Sequence, residues 1–193
     1  MKRKFHVAVP VLALLFSQMT QAGDTTLSMS GQILPVACTI NADNAGVFDY
    51  GDIVAGTLNE SAGDGWSSLT PVTANVNIQC NTPVLVGLGA IDNRTGGLAA
   101  NNSPLNVQFG LGIDPDGNAI GNYQLALSNI TNDGNAIGTT ASADGGSVWT
   151  ASSANGPILN GAPVNLIGFS AVGEVIPAPI QQLQATMSVP VFV

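Results

Sequence analysis

Two cysteines constrain this chain more than any other feature, because Cys38 and Cys80 each close a run that alternates as a strand does. Ahead of Cys38, Leu27, Met29 and Ile33 alternate with Ser28, Ser30 and Gln32, and Gly31 holds the remaining inward slot. The run Val72-Thr-Ala-Asn-Val76-Asn-Ile78-Gln-Cys80 repeats the pattern. A period of two marks a strand with one buried face. Two such strands ending in cysteines 42 positions apart predict a bridge from the first strand of a sheet to its neighbour. Two buried thiols are the alternative. A bridge closing a loop of about 43 residues removes roughly 4 kcal/mol of unfolded-state entropy.

The redox setting follows from the start of the chain. Lys2, Arg3 and Lys4 precede an apolar run, Phe5–Phe16, broken only by His6 and Pro10, and Thr20-Gln21-Ala22 supplies small residues for cleavage before Gly23. This predicts a signal peptide over 1–22 and a single mature domain over 23–193. The apolar run, about 12 residues, falls short of the ~20 needed to cross a bilayer. An exported protein without membrane insertion is expected, in a compartment where disulfides persist.

Beyond residue 22 only Arg94 remains of the four bases, against all twelve carboxylates, a formal charge of −11. Such a chain lacks the Lys and Arg that neutralise phosphates, which argues against nucleic acid, and it has no polybasic patch for anionic lipid. It also has no histidine and no lysine after the leader. Ser-His-Asp and Cys-His sites, Schiff-base lysines and His-based zinc sites are therefore excluded. The carboxylate pairs Asp49/Asp52 and Asp114/Asp116 sit in turn-like contexts without the aromatic surface of a sugar cleft. The expectation is a protein that is not an enzyme and uses no cofactor. The sequence Asp-Gly-Asn-Ala-Ile-Gly occurs at 116–121 and again at 133–138. It reads as two similar turns, since a calcium loop would need more oxygen ligands and a closing Glu; no metal site is expected.

Short alternating runs near 25–34, 36–41, 47–54, 71–80, 84–91, 104–112, 119–128, 146–150, 163–171 and 182–193 are separated by turn clusters such as Asn93-Arg-Thr-Gly96-Gly97. Many short strands at this spacing predict an all-β sandwich, with a small barrel as the alternative. The last run is the most apolar: Leu183, Ala185, Met187, Val189, Val191 and Val193 share one face. Pro190 within it belongs on an edge strand or at a bulge, and no charge guards the strand. An unguarded apolar edge is suited to accepting another strand. Arg94, Trp66 and Trp149 sit in loops and are candidates for a ligand face, with an ordinary structural role as the alternative for each.

Taken together, Leu27–Cys38, Val76-Asn-Ile78-Gln-Cys80 and the C-terminal apolar strand with Phe192 at its penultimate position resemble the subunits of chaperone–usher fimbriae. Asp49-Tyr-Gly51, Ile91-Asp-Asn-Arg94, Phe109-Gly-Leu-Gly112 and Ile120-Gly-Asn-Tyr123 are more similar still to fimbrial-like exported proteins of unknown function. The resemblance implies an incomplete immunoglobulin-like (pilin-type) β-sandwich, completed by a donor strand. The donor would come first from a periplasmic chaperone and then, at an outer-membrane usher, from a neighbouring fimbrial subunit. It implies a partner groove involving Ile33, Leu183, Ala185, Met187, Val189, Val191 and Val193, and a location in the periplasm and then on a cell-surface fimbrium that serves adhesion. Cleavage after Ala22 would leave Gly23–Thr25 ahead of the first strand, which suits a tip or minor subunit. The alternative function is a self-complete exported sandwich that binds a host glycan or other surface ligand through its loops.

Overall fold

The computed structural model describes residues 37–54, 58, 65–94 and 103–193. The predicted leader, the alternating run ahead of Cys38 and Ile33 lie outside the described residues. Strands follow in the order β1 (Cys38–Ala42), β2 (Val72–Val84), β3 (Phe109–Gly110), β4 (Asn122–Tyr123), β5 (Ala126–Asn132), β6 (Asn135–Ala136), β7 (Gly138–Ser142), β8 (Thr150–Ser153), β9 (Gly156–Pro157), β10 (Leu166–Ser170), β11 (Ile180–Val189) and β12 (Val191–Phe192). Among the described residues there is no α-helix, and all belong to one compact unit, Pro35–Val193. The all-β sandwich expectation is borne out.

The main sheet runs β1-β2-β11-β5-β6, with β9 also paired to β5. The cysteines meet as expected: β1 and β2 are antiparallel with Cys38 opposite Cys80, and the two sulfurs are bonded. In β2, Ala74, Val76, Ile78 and Cys80 are buried while Thr73, Asn75, Asn77 and Gln79 face out. Leu183, Ala185, Met187 and Val189 of β11 pair in register with Ile78, Val76, Ala74 and Val72, so one apolar face is continuous across both strands. A second sheet, β10-β7-β8, packs over part of it. Ile167 and Phe169 of β10 join Ile78, Leu127, Ile130, Ile180 and Leu183 in a dry core.

One expectation fails here. The last strand is not an edge: β11 lies between β2 and β5. After Pro190 the strand continues as β12, which pairs with β4 on one side. On the other side Leu69 donates to the Val191 carbonyl, and Ser67 and Val193 exchange both backbone bonds, at 2.7–3.0 Å. Pro190 is accommodated because its missing N–H falls at the break between β11 and β12, while its carbonyl accepts from Gln124 at 3.0 Å.

The repeated hexapeptide does form two turns. Asp133 and Gly134 both adopt positive φ, as a tight two-residue hairpin between β5 and β6 requires. The closing glycine serves close approach in each copy. A Cβ at Gly121 would collide with the Phe192 carbonyl, and one at Gly138 would lie 2.5 Å from the Ser153 carbonyl oxygen.

Candidate partner groove

The second sheet covers only part of the apolar face. The rest borders a groove of about 980 Å³ lined by Val76, Met187, Val189, Val191 and Val193, of which Val76, Val189 and Val191 are buried and Met187 and Val193 half-buried. One wall carries Ile40 and Ala42 of β1, and the other carries Gly110 of β3 with Leu111, Ile120 and Tyr123. Ile40 is 57% exposed, Ile91 65% and Ile120 46%, whereas Leu183 on the same face is 1% exposed. Four of the predicted groove residues, Met187, Val189, Val191 and Val193, thus line one groove. Leu183 and Ala185 do not: they are sealed in the core beneath β10.

The segment over the groove is strapped down locally. Tyr50 donates its hydroxyl proton to the Val189 carbonyl and accepts the Val72 N–H at 3.3 Å, tying residues 47–54 to β2 and β11 at once. Asp49 caps the turn by accepting the Gly51 N–H at 2.8 Å, with Gly51 at φ +61. Asp43 accepts both the backbone and side-chain N–H of Asn75, at 3.0 and 2.9 Å, which fixes the turn that follows β1.

At the far wall sits a buried carboxylate. Asp92 accepts the Arg94 N–H on one oxygen and the Gly110 N–H on the other, both at 2.8 Å. Its own N–H donates to Asn160, whose amide in turn donates to the Gln108 carbonyl. Because Gly110 belongs to β3, Asp92 occupies that strand's outer edge with a side chain, the kind of guard that blocks further pairing. Tyr123 stacks on Phe109, ring centroids 5.3 Å apart. Burial first, and the Asp92 charge second, hold its phenol above the ordinary tyrosine range, with Arg94 pulling the other way.

The three loop candidates are not brought together. Arg94 lines the groove and its guanidinium donates to the Leu111 carbonyl at 3.1 Å. Neither tryptophan lines that groove. Trp149 lies over the outer side of β10, so close that a Cβ at Gly168 would come within 2.8 Å of its ring. Trp66 immediately precedes the segment paired to Val191–Val193. The Asp114 carboxylate accepts the N–H groups of Asp116 and Asn118 and the Asn118 side-chain amide. This holds its pKa below the usual 3.8 and makes it a turn-builder. Among the described residues no three His, Cys, Asp or Glu side chains cluster in a way that could hold a metal, and no helix is long and apolar enough to cross a membrane.

Residues 27–106 match a family described as "Protein of unknown function (DUF1120)". The chain is 29% identical over 129 residues to Protein GltF of Escherichia coli (strain K12), covering 58% of this chain and 51% of that one. It is 27% identical over 103 residues to the uncharacterized fimbrial-like protein YdeR of the same organism, covering 53% of this chain and 60% of that one. The chain therefore spans about half to three fifths of the length of these relatives. No solved structure matches it. These matches bear out the resemblance to fimbrial-like proteins.

Proposed function

We propose that this protein is an exported, non-enzymatic fimbrial-like subunit whose sandwich is completed by a strand from another chain. The observation that supports this reading most is the half-covered apolar face. One continuous surface across β2 and β11 is sealed beneath β10 and elsewhere borders a groove whose lining includes the exposed Ile40, Ile53, Ile91 and Ile120. Contiguous exposed apolar surface of this kind marks an interaction site. Of the strands that border the groove and end their sheets, β12 is bonded on its outer flank by Ser67–Leu69 and β3 has its edge occupied by Asp92. The edge of β1 is therefore the one suited to receive a partner by β-augmentation.

The similarity to YdeR supports the fimbrial assignment and, with it, a surface location. A periplasmic chaperone and an outer-membrane usher are the partners that such assembly would require. Expression of the full chain in the periplasm, with and without a co-expressed fimbrial chaperone, tests the reading. Soluble yield that depends on the chaperone, and transfer from it to a strand peptide, are expected. A chain that accumulates as a cooperatively unfolding monomer without help, and that ignores strand peptides, would overturn it.

A further inference from the structure

We propose that residues 47–54 are a displaceable strap that shields the groove in the free protein, and that the Tyr50 hydroxyl is the latch that holds it. The inference rests on the strand-acceptor reading for its purpose: the strap keeps the place that a partner strand takes, and yields it on docking.

The strap has the pattern of a strand without its ladder. Phe48 and Tyr50 are half-buried, while Val47, Asp49 and Gly51 are exposed, the period of two that marks one covered face. Yet no residue of 47–54 belongs to a strand of any sheet. Phe48, Tyr50 and Ile53 line the groove together with Val76, Val189 and Val191. Those three valines are buried, although they lie outside the core cluster beneath β10. Their cover comes from the groove's own walls, of which the strap is one.

Little of the strap is held by burial. It starts at the turn after β1, where Asn44, Ala45 and Gly46 all take positive φ. The bond between Asp49 and Gly51 lies within the strap and gives no hold on a sheet. Ile53 and Val54 are largely exposed. Tyr50 supplies the tie: its hydroxyl donates to the Val189 carbonyl and accepts the Val72 N–H, and these two residues are register partners at the end of the β2–β11 ladder. One side chain thus spans both strands. Segments with few buried contacts open with free energies far below that of global unfolding. A strand that pairs with the outer edge of β1 and seats side chains beside Ile40 and Ala42 meets Phe48 and Tyr50, which share that lining. It enters as they leave.

Native-state proteolysis of the purified full chain tests this, because chymotrypsin takes aromatic side chains into an apolar slot and cuts after Phe48 and residue 50 only when the strap is lifted. In the unmodified protein, cutting there should change by less than about twofold between 0 and ~1 M urea, since lifting a short strap exposes little surface. A rate that climbs with the full unfolding m-value means that these bonds are cut only from the unfolded chain, and overturns the inference. Tyr50→Phe keeps both cutting sites and removes the latch. Its cleavage, normalised to the same bonds in the urea-unfolded chains, should be roughly five- to thirtyfold faster. Nile red, an uncharged apolar dye, should brighten severalfold on this variant at equal protein concentration. An unchanged cleavage rate overturns the latch, and faster cleavage with no gain in dye emission overturns the shielding. Either failure leaves the strand-acceptor reading standing. Chaperone-independent folding, by contrast, would overturn that reading, and with it the strap's purpose, while both measurements stay as they are.

Discussion

Ile40, Ile78 and Leu183 form one row across three strands, since Ile40 pairs with Ile78 and Ile78 with Leu183. The row passes from the open half of the face to the closed half, so truncating its two ends measures how complete the sandwich is. Leu183 is 1% exposed and surrounded by the core, so Leu183→Ala removes the transfer energy of its methyls and leaves a cavity. About 3 kcal/mol or more is expected. Ile40 is 57% exposed. With full burial of an isoleucine worth ~1.5–3 kcal/mol, its remaining two fifths contribute roughly 1 kcal/mol, and Ile40→Ala should cost about 0.5–1 kcal/mol. Urea unfolding followed by the fluorescence of Trp66 and Trp149 reads both, provided the m-values agree. A strand peptide should then narrow the gap, because it buries Ile40 and not Leu183. Equal costs for the two variants in the free protein would mean that the groove is already closed, and the incomplete-sandwich reasoning would fall.

Three further outcomes are expected. Replacing Cys38 and Cys80 together by alanine should lower stability by up to about 4 kcal/mol, seen as a reduced urea midpoint that dithiothreitol no longer affects. Gly168→Ala should displace the Trp149 ring and cost ~1–3 kcal/mol, with a red-shifted emission as the readout and an unmoved spectrum as the refutation. Asp144 accepts hydrogen bonds from Val148 N–H, the Ser142 hydroxyl and Ser147 N–H, which hold its pKa below 3.8. A carboxylate lowered on folding stabilises above its unfolded pKa and loses that contribution as pH falls through the folded value. The stability difference between the protein and Asp144→Asn should therefore be flat from pH 7 to 5 and shrink below about 4, and a difference that grows with acid would contradict it.

Much of this fold is legible in the sequence because alternation reports which way a side chain points. The buried face of β2, the shared face of Leu183 through Val193 and the meeting of the cysteines all follow from it. Alternation does not report which strands lie alongside. A centrally placed strand and an edge strand have the same period, and Pro190, which fits an edge or a bulge alike, here marks the break between β11 and β12. The segment that covers the far side of β12, Ser67–Leu69, is a short polar stretch with no strand pattern of its own. The strand β7 was invisible for a different reason. Its buried residues, Thr139, Thr140 and Ser142, are small and polar, and Thr140 and Ser142 are satisfied through their hydroxyls rather than by apolar contact. The loop residues were legible as isolated oddities, but only the chain path separates Arg94, on the groove, from Trp149, on the outer side of β10.

The passage of one strand from β11 into β12 has a mechanical consequence. The segment from Ile180 to Phe192 underlies both the sealed and the vacant portions of the molecule, and its hydrogen bonds run to neighbours on either flank. Tension applied lengthwise through a docked ligand chain would load these ladders in shear, with many bonds sharing the force at once. A strand paired on both flanks in this way resists pulling along its axis far better than it resists being peeled away from one end.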